Sequence, residues 1–258
     1  MSWAAQRRLM YAVGVALFFL ITVGGPIAYH VLSVPPSCAD GIQNQGETAV
    51  DEGGPCRLLD VHSLQSEILL WTRSFHVRDG SYNSIAFVQN PNTNAGVRAV
   101  RYHFGLYDER NILVAERSGT TVVMPGQVTP IFEGAIDTGN RIVAHTYFDF
   151  IEPLKWERLY DTSGAISINN VQIADSAAQP RVTANVTNTS VSHLTNLTFL
   201  VAVYDPAGNA FAASQTAIES ISAGETRQII FAWPDPFNIS VGRIQIIPLT
   251  VPSLNLGS

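Results

Sequence analysis

From Ser66 onward, apolar and polar residues alternate in short runs rich in Val, Ile, Thr, Phe and Tyr, bounded by Asn, Gly and Pro. Successive side chains of a strand point to opposite faces, so this period of two predicts half-buried β-strands, and no amphipathic helix interrupts them. The run Val100 to Asp108 puts Val100, Tyr102, Phe104 and Leu106 on one face and Arg101, His103 and Gly105 on the other. The register returns 97 positions later, where Leu197, Phe199, Val201 and Val203 form the apolar face of Leu197 to Asp205, and Tyr204-Asp205 aligns with Tyr107-Asp108. Flanking turns match as well: Asn90-Pro91 with Asn188-Thr189, and Pro125-Gly126 with Ala223-Gly224, each of the latter feeding a strand that ends in Ile131-Phe132 or Ile230-Phe231. Closing strands are visible in 141–150 and 243–250. A period this long is a repeated domain, since solenoid repeats run about 20 to 50 residues. The expected fold class is all-β: two tandem immunoglobulin-like β-sandwiches, residues 63–160 and 161–258, each with seven or so strands. The boundary falls where Tyr160, Asp161, Thr162, Ser163 and Gly164 break the alternation.

The N-terminal pattern is different. Leu9 to Leu32 contains no Asp, Glu, Lys or Arg. Its 24 residues reach about 36 Å as a helix, against about 30 Å for a bilayer core. Residues 1–34 therefore read as a cytoplasmic stub and transmembrane anchor, with the lipid bilayer as its partner. The positive-inside rule places Arg7 and Arg8 in the cytoplasm and everything after the anchor outside. A cleaved secretory signal shares the basic start and apolar run, but this run is long for one, and Ile27 to Val34 offers no small-x-small cleavage pattern. Gly24, Gly25 and Pro26 predict a kink or end near the outer side, Tyr29 suits the interface, and Pro35-Pro36 predict a stiff exit.

Charge changes the picture in two ways. Charged residues make up 14% of the chain, against about 25% in ordinary soluble domains. The anchor explains only part of this, since 13 basic and 21 acidic residues remain beyond it. Thr, Ser and Asn must therefore do much of the work of solvating the sandwiches. The 46% apolar content excludes a disordered tail. Lysine occurs once, at Lys155, and the net charge is −6, which leaves no positive stripe for nucleic acid.

Residues 35–62 form an acidic segment between the anchor and the first sandwich. Outside the cytoplasm, Cys38 and Cys56 would close a loop of 17 intervening residues, worth about 3 kcal/mol in the chain-entropy model. Asp40, Asn44, Glu47 and Asp51 recur between glycines, and a calcium ion wants six to eight such oxygens. Their spacing is not that of an EF-hand. Two readings stand: a calcium-binding loop, or an acidic solvated hinge with no ion.

The stretch from Cys38 to Cys56 resembles an Asp-Gly-x-x-Asn-x-x-Glu-Thr-x-x-Asp-x-Gly-Gly-x-Cys motif beside membrane anchors of bacterial exported proteins. Where such proteins often carry a further Cys, Glu52 stands here, so one bridge is expected. Phe104, Leu106, Tyr107 and Asp108 fit the Phe-x-Leu-Tyr-Asp signature of FxLYD domains, small sandwiches on exported and membrane-anchored bacterial proteins. The second copy keeps Tyr204 and Asp205 but has Val201 and Val203 in place of Phe and Leu. The resemblance covers residues 82–150 and 181–247. It implies a fold and a compartment, and no catalytic residue.

No nucleophile elbow, zinc-protease helix, phosphate loop or dinucleotide turn is present. The six histidines, 30, 62, 76, 103, 145 and 193, are scattered singly, and His103 and His145 read as solvent-facing or structurally satisfied. Asp149 and Glu152, with Trp156 and Arg158 behind them, read as a strand-end salt-bridge cluster and not as an acid-base pair. Arg98, Arg101, Arg110 and Arg117 read as decoration of an exposed sheet. Asn-x-Ser/Thr triplets begin at Asn185, Asn188, Asn196 and Asn238, and reflect Thr in strands and Asn in turns. The reading is a membrane-anchored, extracytoplasmic, non-catalytic module that recognises a protein or an envelope polymer through edge strands and loops. The competing reading is a structural spacer or stress-related envelope protein with no specific ligand.

Overall fold

The structure, a computed structural model, describes residues 3–33, 37–160, 163–249 and 253–254. Pro35 and Pro36, and Asp161 and Thr162 at the expected domain boundary, lie outside the described residues. The chain divides into two units, Met1–Cys56 and Arg57–Ser258.

In the first unit, α1 (Trp3–Phe19) runs through a π-helical turn (Leu20–Gly24) into α2 (Gly25–Ser33). The Gly-Gly-Pro step does not end the helix. Pro26 has no N–H and its ring crowds the preceding turn, and here the ladder widens so that Gly25 N–H bonds Leu20 O, while Thr22 Oγ1 donates to the Phe18 carbonyl at 2.6 Å. The stretch Trp3–Tyr29 has mean hydropathy 2.0 and no buried residue in its apolar window, long and apolar enough to cross a membrane. Signal sequences share that property.

The second unit is all-β. Its first sandwich comprises β1 (Ile68–Arg78), β2 (Ser81–Gln89), β3 (Ala95–Tyr107), β4 (Leu113–Val123), β5 (Val128–Asp137), β6 (His145–Phe150) and β7 (Glu157–Tyr160). The second comprises β8 (Ile166–Ala174), β9 (Arg181–Asn188), β10 (Leu194–Tyr204), β11 (Ala210–Ile221), β12 (Thr226–Ala232) and β13 (Arg243–Leu249). All pairings are antiparallel. One sheet runs β1-β2-β5 and faces β4-β3-β6, with β7 on the N-terminal end of β3. In the repeat, β11-β10-β13 faces β12-β9-β8. A last strand, β14 (Ser253–Leu254), pairs with β7, so these two residues join the first sandwich and not the second.

The alternation on β3 holds: Val100, Tyr102, Phe104 and Leu106 are all buried. Phe104 and Leu106 pack with Ala86, Val88, Ile131 and Ile136 inside the first sandwich. Phe199, Val201 and Val203 do the same with Val182, Val186 and Phe231 inside the second. A further core lies between the sandwiches, where Phe75, Ile85 and Phe87 meet Leu200, Ala202, Tyr204 and Ala213. Both faces of β2 and β10 are therefore buried, and the two sandwiches form one unit instead of separate domains. Segment 57–62 also belongs to this unit. Leu59 packs with Val97, Val100, Val123 and Trp156, and its N–H bonds Trp156 O at 2.9 Å.

One buried asparagine pins each repeat. Asn90 Nδ2 donates to the carbonyls of Ala95 (2.7 Å) and Met124 (2.9 Å), and its Oδ1 accepts from Asn92 N. Asn188 Nδ2 donates to those of Ser192 (2.7 Å) and Ile221 (3.2 Å), and its Oδ1 accepts from Ser190 N and Oγ. The turns aligned by sequence, Pro125-Gly126 and Ala223-Gly224, sit against them: Gly126 N–H bonds Asn92 O, and Gly224 N–H bonds Asn188 O.

Candidate functional site

The acidic loop is closed by a Cys38–Cys56 disulfide with Cα atoms 5.5 Å apart. Its carboxylates are turned onto backbone N–H groups. Asp40 accepts from Ser37 N, Ile42 N and Asn44 Nδ2; Asp51 accepts from Asp40 N and Gly41 N. Glu47, only 7% exposed, accepts from Asn44 N and Asp51 N, and its Oε1 lies 3.2 Å from Cys56 Sγ, which carries no hydrogen in the bridge. The Asn44 side chain first, then the backbone N–H groups, hold the Asp40 carboxyl below its ordinary range. Gly53 and Gly54 have φ of 75° and 50°, and a Cβ on Gly54 would meet the Gly46 carbonyl, which explains the Gly-Gly pair of the motif.

Among the described residues, the one group of three His, Cys, Asp or Glu ligand atoms lying within 4.8 Å of one another is Cys38, Glu47 and Cys56, whose sulfurs are bridged. Asp40, Glu47 and Asp51 thus do not converge. The carboxylate oxygens are engaged by N–H groups of their own turns, while Asn44 Oδ1 is buried with no hydrogen-bond partner among the described residues. Removing both cysteines (Cys38→Ser with Cys56→Ser) is expected to cost the loop about 3 kcal/mol. Hydrogen exchange at Asp40 to Gly54 should then accelerate by about a hundredfold or more, with the amides of β3 and β10 unchanged.

The Phe-x-Leu-Tyr-Asp residues divide by role. Phe104 and Leu106 are core, while Tyr107 lies on the outer face beside Tyr147, with its ring over Gly105, where a Cβ would come within 2.7 Å. Tyr204, at the equivalent position, is 5% exposed in the core between the sandwiches, donates to Gln245 and lies under the Arg243 guanidinium. Burial raises its pKa, with Arg243 opposing. Asp108 and Asp205 close the two β-hairpins: Asp108 accepts from Arg110 N and Ile112 N, and Asp205 from Asn209 N. Such bonds favour the ionised form and depress both carboxyls. Glu225, which accepts from Ser222 N, is depressed likewise.

A group whose pKa is lower in the folded chain stabilises it fully above the ordinary value, and loses that contribution as pH falls through the lowered one. Thermal stability should therefore be flat down to about pH 4 and fall below it. A variant carrying Asp108→Asn and Asp205→Asn should show a shallower acid limb in melting temperature against pH.

A different feature runs along β1, an edge strand of its sheet. Its first residues, Ile68, Leu69 and Leu70, are exposed. A cavity of about 800 Å³ is lined by Arg73 to Val77 of β1, Ala144, Ala210 to Ala213 of β11, Trp233 and the loop Asp235 to Ile239. A second, about 320 Å³, lies between Thr72 to Ser74 and Val143 to Tyr147 and shares Arg73, Ser74 and Ala144 with the first. Together they make one groove beside the open edge. Alanines at 210, 212 and 213 keep it wide. Arg73 Nη1 donates to the Ala210 carbonyl at 2.8 Å, and Arg73 forms no ion pair among the described residues. Trp233 is 7% exposed, packs on Phe237, and its Nε1–H has no acceptor among the described residues. A buried donor left so costs about 1 to 3 kcal/mol. The sequence reading missed this groove, whose residues come from both repeats.

The remaining sequence candidates are dispersed. His103 lies between Asp149 (3.2 Å) and Glu116 (3.4 Å) on the outer face of the β4-β3-β6 sheet. Glu152 accepts from Arg101 N. The buried ion-pair centre is Glu157, not Asp149 and Glu152: it holds Arg57 at 2.9 Å and Arg98 at 3.1 Å.

No family model matches this chain, and no curated protein does. Among solved structures it is similar to red sea bream transglutaminase, at 9% identity over 70% of this chain and 31% of that one, with TM-score 0.23. It is also similar to Bacteroides uniformis beta-glucuronidase, at 15% identity over 69% and 23%, with TM-score 0.19. The chain spans less than a third of either, and neither likeness carries an argument about activity.

Proposed function

We propose that this is a single-pass membrane protein of the FxLYD type. Its N-terminus is cytoplasmic, its bulk lies outside, and the double sandwich binds a segment of another envelope protein without catalysis. The observation that carries this reading is the groove beside β1. It sets an open strand edge beside Arg73, an exposed cation with no ion pair among the described residues, and a wall that includes Trp233. The uncharged helix Leu9–Leu32 after Arg7 and Arg8 supports the topology, and the disulfide supports an oxidising compartment. The acidic loop enters as a closed, self-capped collar. The bridge holds residues 38 and 56 at 5.5 Å, where an open chain of that length could extend to about 60 Å.

The test is crosslinking in native membranes followed by purification of the full chain, beside a chimera in which residues 57–258 are replaced by an unrelated sandwich. One abundant envelope protein should accompany the native chain and be missing from the chimera. Equal function of the chimera, with no enriched protein, establishes the spacer reading; an enriched glycan replaces protein with polymer.

A further inference from the structure

The groove specifies what it takes. Resting on the binding reading above, we infer that an extended peptide segment of about five residues, carrying one acidic side chain, adds as a strand to the open edge of β1 between Thr72 and Val77. β1 pairs with β2 on one side, from Ile68↔Gln89 to Arg78↔Ser81, and with no strand on the other among the described residues. Its outer edge therefore offers main-chain donors and acceptors along the groove. The two joined cavities follow β1 from Thr72 to Val77 and so have the length of a strand and not of a compact ligand.

Side-chain requirements follow from the walls. Arg73 lines both cavities and lacks a carboxylate partner among the described residues, so Asp or Glu in the segment meets it, and His76 lies on the same strand. Asp235 is the one acid lining the groove, and it selects a basic side chain or a free N–H farther along the segment. Ala144, Ala210 and Ala212 leave room for apolar side chains that point inward, with Phe211 and Phe237 packed at the far wall. Trp233 adds a ring to the same wall, and two prolines, Pro234 and Pro236, flank Asp235 and restrict that loop.

The test is selection of random twelve-residue peptides displayed on phage against the full chain in lipid nanodiscs. Enriched peptides should combine β-branched residues with Asp or Glu. They should bind the Arg73→Glu variant at least about tenfold more weakly, and selection on that variant should switch the acid to Lys or Arg. Arg73 is exposed and donates to the Ala210 carbonyl, so circular dichroism and the melting temperature of the variant check that the fold is kept. Trp233→Phe should weaken binding without changing the charge preference. Absence of enrichment, or peptides indifferent to Arg73→Glu, overturns the assignment. If a membrane partner is nonetheless recovered by crosslinking, the binding reading stands and its seat lies elsewhere; if neither is found, both fall.

Discussion

Replacing Asn188 by Ala is expected to lower the unfolding free energy by about 3 kcal/mol, and Asn90→Ala by a similar amount. Asn188 is fully buried and Asn90 is 1% exposed. Each amide bridges carbonyls from two segments, so truncation leaves those carbonyls without their donor. The bonds of Asn188 tie the end of β9 to Ser192 and to Ile221 of β11. Because its Nδ2 is spent on them, this triplet is also closed to glycan attachment in the folded chain. Denaturant unfolding of each single variant measures the effect. A loss under 1 kcal/mol for both would mean that the repeat is held by its apolar core alone.

These two asparagines mark how far the sequence could be read. The 97-residue register aligned them as turn residues, and the strand alternation correctly placed Phe104, Leu106, Phe199 and Val203 inward. Period two assigns faces only where one face is polar. In β10 the run Phe199-Leu200-Val201-Ala202-Val203 is apolar on both, which is the pattern of a strand buried on both sides. That run carries the information that the sandwiches share a core: Phe199, Val201 and Val203 fill the second sandwich, and Leu200 and Ala202 need a second apolar partner. The groove was not legible for a different reason. Arg73, Ala210 and Trp233 are far apart in sequence and share no motif, and only the packing of one repeat on the other brings them together. In the acidic loop the oxygen-rich spacing suggested an ion, yet the same carboxylates serve as acceptors for their own turns, a local alternative that spacing does not distinguish.

The second large effect concerns that shared core. Leu200 is fully buried between the sandwiches, against Phe75, Ile85 and Phe87. Leu200→Ala should cost about 2 to 5 kcal/mol, and Leu200→Asp more, by burying an unpaired charge. The native chain should melt in one transition, with Trp156 of the first sandwich and Trp233 of the second reporting the same midpoint. In Leu200→Asp the two midpoints should separate. Two transitions in the native chain would restore the picture of independent domains, and would also remove the fixed geometry on which the groove depends.

The most direct measurement is site-specific photo-crosslinking in intact membranes, with the reactive residue at His76 in the groove or at Ser118 on the exposed face of β4. A single defined protein crosslinked from His76 and not from Ser118, and lost on Arg73→Glu, is the predicted result. Equal products from both positions, or none from His76, would contradict it.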